Sequence, residues 1–130
     1  MKSWMFAVPL VLALAGCGPS SPGAGAPDTA NGQKLFTRLC GGCHKAGPDA
    51  RNGFGPQLNG VVGRQAGSLG DYQYSPAMKQ AGFAWDEATL KTYLADPGKK
   101  VPGTKMYFWG LANEQQVADL IAWLKTTGHP

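Results

Sequence analysis

The sequence predicts a small all-α fold in which about four helices are separated by long loops. Apolar residues recur at helical spacing in several segments, and no alternating apolar and polar run is long enough for a strand. Nineteen glycines and ten prolines among 130 residues favour extended loops between the helices. A chain of this length indicates one folded domain, which we place at residues 31–130.

The first helix is predicted over residues 31–41, because its apolar side chains share one face at helical spacing. These side chains are Leu35, Phe36 and Leu39. The following segment, residues 45–70, contains nine glycines and prolines and few periodic apolar residues. We therefore expect this segment to be a long loop.

Three further helices are predicted from their start and stop signals. Ser75, followed by a proline at the first helical position, begins a short helix that ends near Gln80. Asp86 begins the next helix, which must end before Pro97 because proline disfavours helical geometry in the residue preceding it. The last helix runs from Asn113, with Gln116 as its capping partner, to Gly128. The buried stripes of the last two helices are predicted at Leu90, Tyr93, Leu94, Val117, Leu120, Ile121 and Leu124.

The N-terminal part has the pattern of an exported lipoprotein. Residues 1–16 combine a basic start with an apolar run that is too short to span a bilayer, which is typical of a signal peptide. The segment 14–17 resembles the bacterial lipobox, in which the cysteine, here Cys17, is lipidated; an unmodified cysteine beside an ordinary cleavage site is the alternative. Residues 18–30 have no large apolar side chain, so residues 17–30 are predicted to be a lipidated, flexible tether. We expect the protein on the periplasmic side, anchored to the cell membrane through Cys17.

The charge balance restricts the partners. The whole chain has twelve basic and eight acidic side chains, a formal net charge of +4. The basic residues are spread along the sequence without a recognition motif, so no nucleic-acid partner is expected. Because the net charge is small, docking through charge must depend on how the charges are distributed.

The segment 40–44 has the spacing of a c-type haem attachment site. Cys40 and Cys43 can each form a thioether to the porphyrin, and His44 is then held beneath the iron as an axial ligand. A dithiol redox pair and half of a zinc site are the alternatives for so short a motif. No alternating strand–helix pattern surrounds the motif, which disfavours a disulfide oxidoreductase. If Cys17 carries lipid, the haem assignment leaves none of the three cysteines free.

A six-coordinate iron needs a second axial ligand. After removal of the signal peptide the candidates are His129, Met78, Met106 and several lysines. His129 lies at the end of the chain beyond a helix-ending glycine, and Met78 lies in a short helix where it can serve as core. Met106 lies in an otherwise polar loop, where a methionine has little packing reason to be. The sequence therefore favours Met106.

These segments together resemble class I cytochrome c of the mitochondrial and short bacterial, c2-like type. Residues 102–106 are similar to the axial-methionine loop of that family, and residues 55–60 and 63–64 are similar to the segment after its haem motif. The resemblance covers about residues 32–127 and implies a small cytochrome c fold around one covalent haem c. It implies that Cys40 and Cys43 bond the haem and that His44 and Met106 ligate its iron.

The resemblance also implies roles for the surroundings of the haem. The carbonyl of Pro56 would accept a hydrogen bond from His44 and fix the orientation of its ring. Tyr74 and Trp85 match positions that hydrogen-bond a buried propionate, and Arg64 matches one that offsets its charge. Ordinary core aromatics and a solvated surface arginine are the alternatives for these three residues.

Other matches concern hydroxyls and packing. Tyr93 and Thr104 fall where the family places hydroxyls near the methionine and the second propionate. A contact between the first and last helices is implied at Gly32, Phe36, Leu120 and Trp123. Met78 departs from the family, which commonly has an asparagine there as part of a buried water network. An apolar side chain at this position should thin that network and raise stability.

An iron with two protein ligands has no open position for a substrate, so the sequence predicts an electron carrier and no enzyme or small-molecule substrate. Single electrons would pass between membrane-bound respiratory or photosynthetic donor and acceptor complexes. A dedicated haem subunit of one membrane-bound oxidoreductase complex is the alternative. Redox protein partners would dock at the exposed haem edge, against a positive rim with Phe108 near its centre. The rim is predicted at Lys45, Lys99, Lys100 and Lys105, unless these lysines are merely solubilising.

Overall fold

The computed structural model describes residues 25–128, which form five α-helices joined by long loops. The helices are α1 (Thr29–Leu39), α2 (Pro76–Lys79), α3 (Glu87–Ala95), α4 (Pro97–Lys100) and α5 (Glu114–Thr126). Within this described part no strand forms, and an isolated bridge pairs Gln65 with Ala84. The predicted all-α fold is confirmed, with five helices instead of about four. The signal peptide, Cys17 and His129 lie outside the described residues.

The first helix begins at Thr29, before the predicted start at residue 31, so the predicted tether over residues 17–30 reaches too far. The physical reason is a cap at Asp28, whose side chain accepts hydrogen bonds from the backbone N–H groups of Ala30 and Asn31. The helix also ends at Leu39, with Cys40 as its C-cap, instead of continuing to residue 41.

The other predicted helix starts are confirmed by their caps. The side chains of Ser75, Asp86 and Asn113 each accept a hydrogen bond from a backbone N–H in the first turn of the following helix. The third helix ends before Pro97, as predicted. The additional helix α4 was not predicted: Asp96 caps it, and the proline that ends α3 occupies its first position, where a missing N–H does no harm.

Helices α1 and α5 cross in close contact, as the resemblance implies. A Cβ added at Gly32 would collide with the backbone carbonyl of Asp119 and lie 2.9 Å from Cβ of Trp123. The rings of Phe36 and Trp123 pack with their centroids 4.7 Å apart, and Leu120 beside them is 1% exposed. Only a glycine lets the two backbones approach this closely.

The buried carboxylate of Asp119 ties the start of α1 to α5. It accepts hydrogen bonds from the backbone N–H of Asp28 at 2.8 Å, from Nδ2 of Asn31 at 2.7 Å and from Nε2 of Gln115 at 2.8 Å. These hydrogen bonds lower the pKa of Asp119, and the bond from the backbone N–H of Asp28 has the largest effect. The carboxylate is therefore ionised near neutral pH. The contact fixes the end of α1 that lies farthest from the cysteines.

The helix crossing predicts the effect of a single methyl group. We expect Gly32→Ala to destabilise the holoprotein by about 2 kcal/mol or more, because backbone, which cannot move aside, blocks the added carbon. Denaturant unfolding followed by circular dichroism measures this. The matched control is Gly70→Ala, since a Cβ at Gly70 meets no atom within 4 Å. Equal stabilities of the two variants would contradict the close crossing.

Candidate functional site

A cavity of about 390 Å³ lies between α1, α3, α5 and the loops, with mostly apolar walls. Side chains of α1, α2, α3, α5 and the loops line it, including Leu58, Met78, Leu94, Leu120 and Leu124. All ten site residues predicted from the sequence also line it: Cys40, Cys43, His44, Pro56, Arg64, Tyr74, Trp85, Tyr93, Thr104 and Met106. The fold thus brings together residues that are up to 66 positions apart.

The two cysteines reach the cavity because the chain turns sharply after α1. The backbone N–H groups of Cys43 and His44 both donate to the carbonyl of Cys40, at 3.0 and 2.8 Å. As a thiol, Cys40 has its pKa raised to about 11 by burial, with the neighbouring Cys43 as a smaller cause. A thiol with so high a pKa is protonated at neutral pH, unlike the attacking cysteine of a dithiol redox enzyme.

His44 is held in one orientation from two sides. Its Nδ1 lies 2.8 Å from the carbonyl oxygen of Pro56. Because a carbonyl only accepts, Nδ1 carries the proton and Nε2 keeps its lone pair for a ligand. A Cβ at Gly55 would lie 2.6 Å from Nδ1, so the ring packs directly on this glycine. Burial lowers the pKa of His44, although the hydrogen bond to the Pro56 carbonyl acts in the opposite direction. The lowered pKa favours the neutral imidazole, which is the form that binds metals.

Met106 enters the cavity from the loop between α4 and α5. Its backbone N–H donates to Oγ1 of Thr104 at 3.3 Å, and this hydroxyl lies 3.0 Å from the hydroxyl of Tyr93. Nζ of Lys105 donates to the carbonyl of Gln73 at 3.3 Å and joins the loop to the opposite side of the cavity. The loop therefore has two anchors immediately before its methionine.

The positive charge of Arg64 lies in the cavity wall, and no carboxylate of residues 25–128 forms a salt bridge with it. Nη1 and Nη2 of Arg64 donate to the carbonyls of Asn59 and Gln57 at 3.0 and 3.1 Å. Burial lowers the pKa of Arg64 and raises that of Tyr74. A guanidinium stays protonated under such conditions, so this wall suits an anionic group. Trp85, also at the wall, packs edge-on against Phe83 and Tyr93 with centroids 4.9 and 4.8 Å apart.

Sequence reasoning missed several aromatic residues at the cavity: Phe54, Tyr72 and Tyr107 line it as well. The hydroxyl of Tyr72 donates to the carbonyl of Phe54 at 2.6 Å. The sequence contains a signal for part of this set, because three aromatic residues follow Met106 in a row within a loop. Such a run cannot be buried on one face of a helix or strand.

The donor set fits a c-type haem. Two thiols, an imidazole with a free Nε2 and a thioether line one apolar cavity, and a guanidinium with tyrosine hydroxyls is available for propionates. The described residues contain no group of three or more His, Cys, Asp or Glu side chains that could hold a metal ion. The remaining ligands that a zinc site at Cys40 and Cys43 would need are therefore not found among these residues.

Comparison with known proteins agrees with this donor set. Residues 29–128 match the cytochrome c family. The chain belongs to this family. Cytochrome c2 of Rhodoblastus acidophilus is 54% identical over 101 residues, which cover 78% of this chain and 92% of that protein. Cytochrome c of Nigella damascena is 43% identical, with 78% and 92% covered. The structure of cytochrome cH from Methylobacterium extorquens is 50% identical with a TM-score of 0.71, covering 76% of this chain and 98% of that chain.

Membership of the cytochrome c family establishes what kind of protein this is. It is a c2-like class I cytochrome c that carries one covalent haem c and transfers electrons, and it is not an enzyme. The absence of strands from residues 25–128 agrees with the cytochrome c fold and leaves the disulfide oxidoreductase alternative without support. Among the helices of that part of the chain, none has the length and apolar character needed to cross a bilayer.

The departure at Met78 has a measurable consequence. Met78 is 8% exposed and packs in the core beside the cavity. We expect Met78→Asn to lower the stability of the holoprotein by about 2 kcal/mol or more, because packing is lost and an amide is buried in an apolar wall. In a domain of about 100 residues, a loss of stability of this size lowers Tm by roughly 8 °C or more.

The control is Met78→Leu, which keeps the side-chain volume and should cost less than about 1.5 kcal/mol. Thermal unfolding followed by circular dichroism compares the two variants. An asparagine variant that melts at or above the temperature of the leucine variant would show that Met78 adds no stability.

Proposed function

We propose that this protein is a membrane-tethered, monohaem electron carrier whose iron is bound by His44 and Met106. The observation that carries this assignment is the meeting of four groups at one apolar cavity: the thiols of Cys40 and Cys43, the imidazole of His44 and the thioether of Met106. When bound, haem c supplies a one-electron redox centre. His44 and Met106 together would hold the iron, so a substrate would find no open position on it.

The other cavity residues would hold the haem and orient its ligands. The Pro56 carbonyl keeps the proton of His44 on Nδ1 and makes Nε2 the better donor. Arg64 and Tyr74 offer positive charge and a hydroxyl to one propionate, with the indole of Trp85 as a further donor. The bonded hydroxyls of Tyr93 and Thr104 lie beside Met106 and support its loop. The mostly apolar walls exclude water and, with methionine as ligand, favour the reduced state.

The assignment is tested first by mass spectrometry of the exported protein. We expect one haem bound through both cysteines, so Cys40→Ala combined with Cys43→Ala should abolish covalent attachment. The reduced wild-type protein should show sharp visible bands. An exported protein without an added tetrapyrrole would overturn the proposal.

The axial ligand is tested by Met106→Ala. Loss of the thioether should lower the reduction potential and let external imidazole bind within seconds, whereas the wild-type protein should bind it slowly. A redox titration and stopped-flow absorbance measure the two effects. Met78→Leu serves as a control, because it alters a buried methionine at the cavity without removing the proposed ligand. If both methionine variants behaved like wild type, Met106 would not be the ligand.

We further propose that the protein is exported and that Cys17 carries lipid. The apolar segment that precedes Cys17 supports this, as does the polar segment that follows it. Asp28 caps the first helix of the described residues, and the ten residues between Cys17 and Asp28 are of the small and polar types that are typical of a flexible tether. Tethering raises its effective concentration near membrane-bound donor and acceptor complexes.

Cys17→Ser tests the anchor. The wild-type protein should partition with detergent and carry an acylated N-terminal peptide, because acyl chains supply the membrane affinity. The serine variant should lack acyl groups and leave the detergent phase. Phase partition and peptide mass spectrometry measure both. A wild-type protein found in the aqueous phase with an unmodified Cys17 would contradict lipidation but leave the haem assignment intact.

A further inference from the structure

The peptide group that joins Pro56 to Gln57 is hydrogen-bonded at both its oxygen and its hydrogen. Its carbonyl oxygen lies 2.8 Å from Nδ1 of His44, and its N–H donates to Oδ1 of Asn52 at 2.9 Å. No peptide bond of the described residues is cis, so the carbonyl and the N–H of this planar group point in opposite directions. One peptide group therefore connects the side chain of Asn52 to the imidazole of His44.

The amide of Asn52 is held in a single orientation. Its Nδ2 donates to the carbonyl of Asp71 at 3.1 Å, while its Oδ1 accepts from the N–H of Gln57. A backbone carbonyl can only accept and a backbone N–H can only donate, so exchanging the oxygen and nitrogen of the amide would lose both bonds. The side chain is half-buried and connects two loop segments that are 19 residues apart. Its oxygen is thus directed to Gln57.

Two backbone hydrogen bonds fix where this peptide group lies. On one side of it, the N–H of Gly55 donates to the carbonyl of Cys43 at 2.9 Å. On the other side, the N–H of Leu58 donates to the carbonyl of Lys45, also at 2.9 Å. These two carbonyls belong to the residues that flank His44, so the backbone alone aligns the peptide group with the imidazole ring. The additional bond to the Asn52 side chain therefore acts on the polarity of the group more than on its place.

Hydrogen bonds in series polarise one another, and each strengthens its neighbour by about 10–30%. When Oδ1 of Asn52 accepts from the N–H of the peptide group, electron density moves toward the carbonyl oxygen at its other end. That oxygen becomes a better acceptor for the proton on Nδ1 of His44. An imidazole whose N–H is held by a stronger acceptor is in turn a stronger electron donor at its other nitrogen, Nε2.

We propose that Asn52 is a positioning residue that raises the donor strength of Nε2 of His44 through the peptide group between Pro56 and Gln57. Asn52 touches neither the imidazole nor the cavity, and it acts only through this group. The proposal rests on the proposed function, because the donor strength of His44 matters when this residue binds the iron. A stronger donor stabilises the oxidised metal, so Asn52 lowers the reduction potential.

The test compares the wild-type holoprotein with Asn52→Leu, which replaces both polar atoms of the amide by methyl groups. We expect the redox equilibrium to shift about threefold toward the reduced form, which raises the potential of a one-electron couple by about 30 mV. In the reduced, isotope-labelled protein, the Nδ1 proton of His44 should resonate at lower frequency and exchange faster with solvent, because its hydrogen bond is weaker. A redox titration and NMR spectroscopy measure these effects.

Asn59→Leu is the matched control. Asn59 is also half-buried, and its side chain accepts from the N–H of Gly47 at 2.7 Å and donates to its carbonyl at 2.9 Å. This variant should lose thermal stability, as Asn52→Leu does, but keep the wild-type potential and Nδ1 resonance, because its side-chain bonds do not reach the peptide group.

A second variant, Asn52→Asp, keeps an acceptor for the N–H of Gln57. A carboxylate is a stronger acceptor than an amide, so the Nδ1 resonance should move in the direction opposite to that of the leucine variant. The measurement is made at high ionic strength, which screens the added charge. If the leucine variant carries no haem, the aspartate variant decides alone.

Each remaining outcome decides against the proposal. If Asn52→Leu lost stability but kept the wild-type potential and Nδ1 resonance, Asn52 would only hold the two loop segments together. Equal shifts in the two leucine variants would show that loop packing sets the potential. An aspartate variant whose resonance stayed in place, or moved as in the leucine variant, would contradict the effect through the peptide group. A wild-type protein that lacks haem, or whose iron does not bind His44, would instead overturn the proposed function.

Discussion

The close crossing of α1 and α5 at Gly32 is the contact on which the position of the site depends. Helix α1 ends at the cysteines, and α5 supplies Leu120 and Leu124 to the cavity wall. Because the two backbones touch at Gly32 and Asp119 holds the start of α1, the far end of α1 can point only one way. Wherever that end lies, Cys40 and the residues after it must follow. A contact near the start of α1 thus sets the position of the cysteines that follow its last residue.

The electrostatics of the cavity are arranged by carbonyl groups more than by ion pairs. The Arg64 guanidinium is held by two backbone carbonyls and His44 by a third. Carbonyls orient a donor without neutralising it, so the positive charge of Arg64 remains available to an anion in the cavity. The salt bridges of the described residues lie on α3 and α5 at exposed side chains, where they contribute little. Loops without regular structure are suited to this role because their carbonyls are not used by helices.

Local signals predicted most of the helices, and long-range contacts explain what they could not predict. Ser75, Asp86 and Asn113 act as caps within their own first turns, so the sequence reveals them. The start of α1 depends partly on Asp119, which is 91 residues from Asp28 and invisible to a local pattern. The cavity residues could be named because motif and family resemblance supplied them. The exposure of Tyr107 and Trp109 could not be predicted from the sequence. Large aromatic residues are usually buried, and only the tertiary structure shows that these two are exposed.

The seating of His44 between Gly55 and the Pro56 carbonyl limits how its ring can move. Rotation of the ring would break the hydrogen bond on one side or strike the glycine backbone on the other. If Nε2 of His44 binds the haem iron as proposed, an imidazole fixed in this way would keep nearly the same pose in both oxidation states. The nuclear reorganisation energy of each electron exchange would then be small, because the dipoles around the iron would already be in place. Gly55 and Pro56, two adjacent loop residues that are not themselves ligands, would keep that barrier low.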